Sequence, residues 1–289
     1  MGRGYYNGIN RPEKELKPRI DKPKMDYLFD EWEKLKSRLK LKDFFIFLDY
    51  DGTLAPIAET PQQAFMPEQT RRLLESLLRN PHFKMAIVSG RELKDIKKRV
   101  GLENIIYVGN HGAQIQGPKI KFSAPVYQKS RATLERIKND LTAKLTSVKG
   151  VILEDKGLSL SLHYRLVDKK DITRVKTILH ESIILYLVKN KIKLKYGKMV
   201  FEICLPFDWD KGKAVLWLLA RQKFASGEKM FVPIYIGDDV TDEDAFKALQ
   251  NKGLTIFVGR PKPSYAQYYL NSPGQVNKFL GRIISLKEA

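Results

Sequence analysis

The chain has 289 residues, enough for one large domain or two smaller ones, and its 43% hydrophobic content suits a folded globular protein. No run approaches about 18 uninterrupted apolar residues, so no transmembrane helix is expected. The polar, basic start from Met1 to Lys24 does not read as a secretory signal, and the single cysteine, Cys204, excludes an intrachain disulfide and fits a reducing, cytoplasmic setting. The formal charge of +19 admits nucleic acid, an anionic membrane surface or a small anionic substrate as partner. The basic residues are scattered, with no zinc-finger spacing and no RNA-recognition signature, so neither a nucleic-acid nor a membrane partner is expected. A lysine-rich solvated surface is the plainer reading.

Met1 to about Lys24 carries Gly, Pro, Asn and many charges, and is expected to be flexible or to drape over the surface. Leu28, Trp32, Leu35 and Leu39 recur at helical spacing and predict an amphipathic helix leading into the first strand. Phe44 to Leu48 predicts a fully buried strand. A helix follows at about Pro67 to Leu78, with Pro67 suited to its first turn. Lys84 to Val88 predicts a strand, Glu92 to Val100 a helix and Ile105 to Val108 another strand. Near-continuous apolar strands alternating with helices argue for a parallel sheet covered on both faces.

The pattern then changes. Leu134, Ile137, Leu141 and Leu145 mark an amphipathic helix. Strands are predicted at Gly150 to Glu154 and Leu158 to Arg165, a helix at Asp171 to Lys189, and strands at Ile192 to Tyr196 and Met199 to Leu205. Helix-strand-strand twice over suggests a small α+β unit with an open antiparallel sheet. After it the first pattern returns: a helix at Lys211 to Ala220, strands at Val232 to Ile236 and Leu254 to Val258, and a helix at Gln275 to Leu286. The expected organisation is an N-terminal extension (1–43), an α/β core (44–123 and 206–289) and an inserted module (124–205).

Asp49-Tyr50-Asp51-Gly52 ends the first buried strand. Two carboxylates at such a place are costly unless paired, and a divalent cation is a natural partner. One carboxylate could attack phosphorus while its neighbour moves the proton. A polar turn explains the four residues as well. An EF-hand does not, because Gly52 falls at the fourth loop position and Thr60 at the twelfth.

Three further features fall at strand ends or in adjacent loops: Ser89-Gly90-Arg91, Lys211-Gly212 and Gly237-Asp238-Asp239-Val240-Thr241-Asp242. Each alone reads equally as a turn, a helix cap or a solvated lysine. Together they fit an open parallel sheet, which binds ligands beyond the C-terminal ends of its strands.

The strings FLDYDGTLAPI, VSGR, GNHGAQI, LEDKGLSLSLHYR, FEICLP, DKGKAV and GDDVTDEDAF carry a resemblance. The chain resembles phosphatases of the haloacid dehalogenase-like (HAD) superfamily with an inserted cap, and within it the trehalose-phosphatase branch. The first and last strings are specific to the superfamily; LEDKG…LHYR points to the branch. The segment before Asp43 lies outside the match.

The resemblance implies a Rossmann-like parallel-sheet core with a C2-type α+β cap. It implies Mg²⁺-dependent hydrolysis of trehalose 6-phosphate through an aspartyl-phosphate, and a functional link to a trehalose-6-phosphate synthase. Asp49 would be the nucleophile and Asp51 the acid and base. Asp49, the Asp51 carbonyl and Asp238 would hold Mg²⁺, supported by Asp239 and Asp242. Ser89 and Lys211 would bind the phosphoryl group.

A sugar phosphate offers many hydroxyls, so its recognition needs clustered hydrogen-bonding side chains. Glu154, Lys156, His163, Arg165 and Glu202 offer these from the cap, and Arg91 and His111 could meet them from the core. His163 and Arg165 also read as the polar face of a half-exposed strand. Cap closure, with hinges near Pro125 and Pro206, would exclude water. The rivals are a phosphatase for sucrose phosphate or mannosylphosphoglycerate, a mutase, and a non-catalytic basic binding protein.

Overall fold

The computed structural model describes residues 24–58, 63–197, 199–206, 209–226 and 230–288. The expectation for Met1 to Lys24 lies outside them, Lys24 apart. In chain order the elements are β1 (Asp26–Tyr27), α1 (Trp32–Leu39), β2 (Asp43–Leu48), α2 (Glu68–Arg79), β3 (Phe83–Val88), α3 (Leu93–Val100), β4 (Ile106–Gly109), β5 (Gln114–Gly117) and β6 (Ile120–Ser123). Then follow α4 (Pro125–Leu145), β7 (Ile152–Asp155), β8 (Ser159–His163), α5 (Ile172–Val188), β9 (Lys193–Gly197) and β10 (Val200–Cys204). The chain ends with α6 (Lys211–Ser226), β11 (Phe231–Gly237), α7 (Glu243–Ala248), β12 (Leu254–Val258), β13 (Tyr268–Leu270) and α8 (Pro273–Glu288).

The apolar runs form one nine-stranded sheet, ordered β1-β13-β12-β11-β2-β3-β4-β5-β6. Its pairings are parallel except at β4–β5 and β5–β6. Alternation along β2 splits its side chains between two layers. Phe44, Ile46 and Leu48 join the core under α1, α2, α3 and α8, while Phe45 and Phe47 join the one under α6 and α7. Burial on both faces is why these strands read as continuous apolar runs. Leu48 pairs with Ile236 of β11, so the residues after β2 and β11 emerge side by side.

The second sheet is antiparallel, ordered β7-β8-β10-β9. Leu160 and Leu162 of β8 and Ile203 of β10 turn one face toward α4 and α5, where Leu134, Ile137, Leu141, Val175, Leu179 and Ile183 complete a core. The other face is polar: Glu154, Ser161, Glu202 and Lys195 lie in register across the four strands.

Two expectations change. The hairpin β5–β6 and the short strands β1 and β13 extend the main sheet beyond the predicted strands. Their sequences, such as Gln-Ile-Gln-Gly, mix polar and apolar residues and are too short to show a period. The predicted strand to Arg165 stops at His163, because His163 already faces Val200, the first residue of β10.

Residues 25–42, ahead of β2, belong to the fold. β1 pairs with β13, and Leu28, Trp32, Leu35 and Leu39 are buried in the main core. The Trp32 ring lies 6.2 Å from that of Phe279 on α8. Trp32→Ala is therefore expected to cost about 3–5 kcal/mol in a denaturant titration. A loss under about 1 kcal/mol would show that α1 is dispensable to the core.

Candidate active site

β2 and β11 deliver the acidic groups. Asp49 directly follows β2, its N–H donating to Ile236 O at 2.9 Å. Gly52 turns the chain with φ +75°, and a Cβ there would collide with the Asp238 carboxylate. Glycine thus answers both a left-handed backbone and a close approach.

Lys211, the first residue of α6, is buried beside these groups. Its Nζ donates to Asp49 Oδ1 at 2.9 Å and to Asp242 Oδ1 at 2.7 Å. Burial opposes its charge, but the Asp242 and Asp49 carboxylates outweigh burial and hold the ammonium well above the ordinary lysine range. Asp49 moves the other way. Burial, opposed by Lys211 and aided by Asp242 and Asp238, raises its carboxyl well above the usual value. Burial and then Asp242 push Asp238 up to about 6. The pocket holds more carboxylate than one lysine neutralises.

That imbalance bears on a metal. Asp49, Asp238 and Asp242 can each present an oxygen within 4.8 Å of the others. Asp238 Oδ1 is buried without a hydrogen-bond partner. An all-oxygen donor set suits a hard divalent cation, so the residues fit one. Asp242 is already engaged. Its Oδ1 accepts from Lys211 and from the Tyr235 hydroxyl, both at 2.7 Å, and its Oδ2 accepts from the Asp239 N–H at 2.9 Å. Asp238 Oδ1 is the oxygen left for a cation, Asp49 already shares Oδ1 with Lys211, and Asp242 orients Lys211 and the loop.

Ser89, at the end of β3, is buried, and its Oγ accepts from the Arg91 N–H at 3.1 Å. The sequence reading gave Arg91 to the sugar. The structure instead turns its guanidinium onto Asp51, with Nε–Oδ2 at 2.7 Å and Nη2–Oδ1 at 2.5 Å. Asp95 accepts from Arg91 Nη1 at 3.1 Å and from Arg99 Nε at 2.9 Å. Sequence reasoning missed this chain, although Arg91, Asp95 and Arg99 stand four residues apart, the spacing of helical ion pairs.

His111 has left-handed backbone (φ +53°), as does Asn110 before it (φ +52°). Its ring packs against Gly90, where a Cβ would lie 2.5 Å from the imidazole Cε1. Burial, then the Lys211 charge, pushes the imidazole down to about 4, so it is neutral at pH 7. Its Nδ1 is buried without a partner.

A cleft of about 840 Å³ gathers Asp49, Asp51, Ser89, Arg91, His111, Lys211, Asp238 and Asp239. Glu154 of β7 and Lys156, just after that strand, also line it. His163 reaches the cleft only through Glu154, with Nε2 3.1 Å from Glu154 Oε2. Glu202 sits on the same polar face, its Oε1 accepting from Ser159 Oγ at 3.3 Å. Arg165 is exposed in the turn after β8 and does not line the cleft.

The sequence model described as Trehalose-phosphatase matches residues 47–274. Trehalose-phosphate phosphatase B of Arabidopsis thaliana is 37% identical over 272 residues, covering 90% of this chain and 70% of that protein. Trehalose 6-phosphate phosphatase RA3 of Zea mays is 38% identical over 275 residues, covering 90% and 74%. The C-terminal domain of C. albicans trehalose-6-phosphate phosphatase superposes with a TM-score of 0.70 at 24% identity, over 91% of this chain and 99% of that one, a likeness of fold. A trehalose-6-phosphate phosphatase related protein gives 0.65 at 27% identity, over 84% and 97%. Among the described residues no helix is long and apolar enough to cross a membrane. With acidic strand ends, a buried lysine and a buried serine around one cleft, and with these likenesses along most of its length, the chain belongs to the trehalose-phosphatase family of HAD-fold phosphatases.

Proposed function

We propose that this phosphatase hydrolyses trehalose 6-phosphate to trehalose and phosphate, with Mg²⁺, through an aspartyl-phosphate on Asp49. The observation that carries the reading is the joint lining of one cleft by Asp49, Asp51, Ser89, Lys211 and Asp238 with Glu154 and Lys156 opposite. Asp49, Asp238 and the Asp51 carbonyl, with Asp239 and Asp242 in support, would hold Mg²⁺, which would supply positive charge against the phosphoryl oxygens.

A carboxylate oxygen of Asp49 attacks phosphorus in line. The bond to the sugar oxygen breaks, and Asp51 gives that oxygen its proton. Asp51, now ionised, takes a proton from water as the water oxygen attacks phosphorus. The bond to Asp49 breaks and phosphate leaves. Lys211 and Ser89 hold the equatorial oxygens while charge spreads over them. In the resting state both Asp51 oxygens accept from Arg91; as substrate arrives Arg91 yields one of them, which takes up from solvent the proton that Asp51 then gives to the leaving oxygen. This makes Arg91 a positioning residue for Asp51.

Residues 124–205 act as the specificity cap on a core of 44–123 and 206–289, hinged near Pro125 and Pro206. Glu154 and Lys156 meet the sugar hydroxyls directly; Glu202 and His163 back them on the same face. A cytoplasmic setting and supply of substrate by a trehalose-6-phosphate synthase belong to the same reading.

Replacing Glu154 by Gln or Lys156 by Ala is expected to raise KM for trehalose 6-phosphate about 10- to 100-fold, the worth of a hydrogen bond to a charged group. Turnover of p-nitrophenyl phosphate, which carries no sugar, should change less than about threefold. Equal losses on both esters would remove the cap from substrate selection.

A further inference from the structure

A second cleft, of about 950 Å³, opens at the other end of the main sheet. Val232 at the start of β11 and Leu254 at the start of β12 line it, roughly 20 Å along the strands from the catalytic groups. Its floor includes the buried side chains of Leu35 and Leu39. Lys24, Arg38, Lys42 and Lys252 also line it, with Asp26 the one acid among the lining residues.

These cations are not arranged like the others nearby. On the same helix Lys34 pairs with Glu31 at 3.1 Å and Lys36 with Glu33 at 3.8 Å. Arg71, Arg72 and Arg79 of α2 are likewise paired with glutamates. Among the described residues, Lys24, Arg38 and Lys42 have no carboxylate within salt-bridge reach, and Lys252 donates only to the Ala248 carbonyl at 3.2 Å. Like charges gathered over an apolar floor repel one another, and a bound anion relieves the repulsion. Several positive charges around one cleft match several negative charges on one small molecule better than a single carboxylate does. The chain's own segment 1–23 is a poor neutraliser, with six basic and three acidic residues.

We propose that this cleft is a binding site for a small polyphosphate anion, free or carried by a nucleoside. The site is separate from the catalytic cleft and shares no lining residue with it.

The test is calorimetric titration of the full chain with inorganic triphosphate, with ATP and with adenosine, in chelator at fixed ionic strength. Triphosphate and ATP should both bind. Arg38→Gln/Lys42→Gln should weaken both at least about tenfold, as loss of two charge-assisted contacts demands. The equally charge-changing control Lys189→Gln/Lys191→Gln, at the far end of α5, should change affinity less than about threefold. Retained hydrolysis of trehalose 6-phosphate by the Arg38/Lys42 variant certifies its fold. ATP binding about tenfold tighter than triphosphate assigns the nucleotide form, and equal affinities assign the bare polyphosphate. Four results overturn the proposal: no binding to the wild type, binding of adenosine without triphosphate, equal weakening in the control, or undiminished binding in Arg38→Gln/Lys42→Gln. The last would place the anion in the catalytic cleft.

Discussion

Asp49→Asn is expected to abolish phosphate release, by ~10⁴-fold or more, while the protein stays folded. The amide keeps the size and planarity of the carboxylate but cannot displace the sugar oxygen. Stability should move the opposite way from activity. Burial, opposed by Lys211 and aided by Asp242 and Asp238, raises the Asp49 carboxyl well above its ordinary value. A carboxyl raised in the folded state contributes stability below its unfolded pKa and loses that contribution as pH rises through the folded one. In metal-free protein at pH 7 the native aspartate is therefore a cost, and asparagine removes it. The melting temperature of the metal-free variant should equal or exceed that of the wild type at pH 7, and the gap should close as pH falls toward about 4. A variant with native turnover would dismiss Asp49 as the nucleophile. One that melts much lower would mean that its ion pair with Lys211 outweighs the crowding.

Lys211→Met should damage both activity and fold. The ammonium is 2% exposed and bridges Asp49 and Asp242, themselves 6% and 0% exposed. Removing it strands two buried carboxylates, and breaking such a pair costs about 3–5 kcal/mol. For a chain of this size that lowers the melting temperature by on the order of 10 °C. Turnover should fall about 10²–10³-fold with the loss of a donor to the phosphoryl oxygens. The pair is not additive: Asp49→Asn/Lys211→Met should be more stable than Lys211→Met alone, because one stranded carboxylate is gone. If the double variant is the less stable of the two, the lysine acts through packing and not through charge.

The candidate catalytic groups were legible because they follow apolar runs. Phe44 to Leu48 announces a strand buried on both faces, so Asp49 and Asp51 must sit at its end, and Ile234 to Ile236 places Asp238 in the same way. Gly52 carried a second signal, since a tight turn beside a carboxylate leaves no room for a Cβ. The hairpin β5–β6 was not legible, because four-residue strands mixing Gln, Lys and Ile show no period. Arg165 was misplaced because alternation from Leu158 onward does not encode where the partner strand begins; pairing ends at Val200. Arg91 was found, but its partner was not. Its ladder with Asp95 and Arg99 shows in the spacing, whereas its aim at Asp51 depends on the register of β2 against β3. The role of residues 25–39 in the core escaped because the motifs that carry the resemblance begin after them, while burial of Leu28 and Trp32 depends on α8 at the far end of the chain.

Phosphate release from trehalose 6-phosphate, measured beside glucose 6-phosphate and sucrose 6-phosphate with Mg²⁺ and with chelator, tests the account most directly. It predicts efficient turnover of the trehalose ester alone, lost on chelation and in Asp49→Asn. Comparable kcat/KM values for all three esters, or turnover that survives chelation, would contradict it.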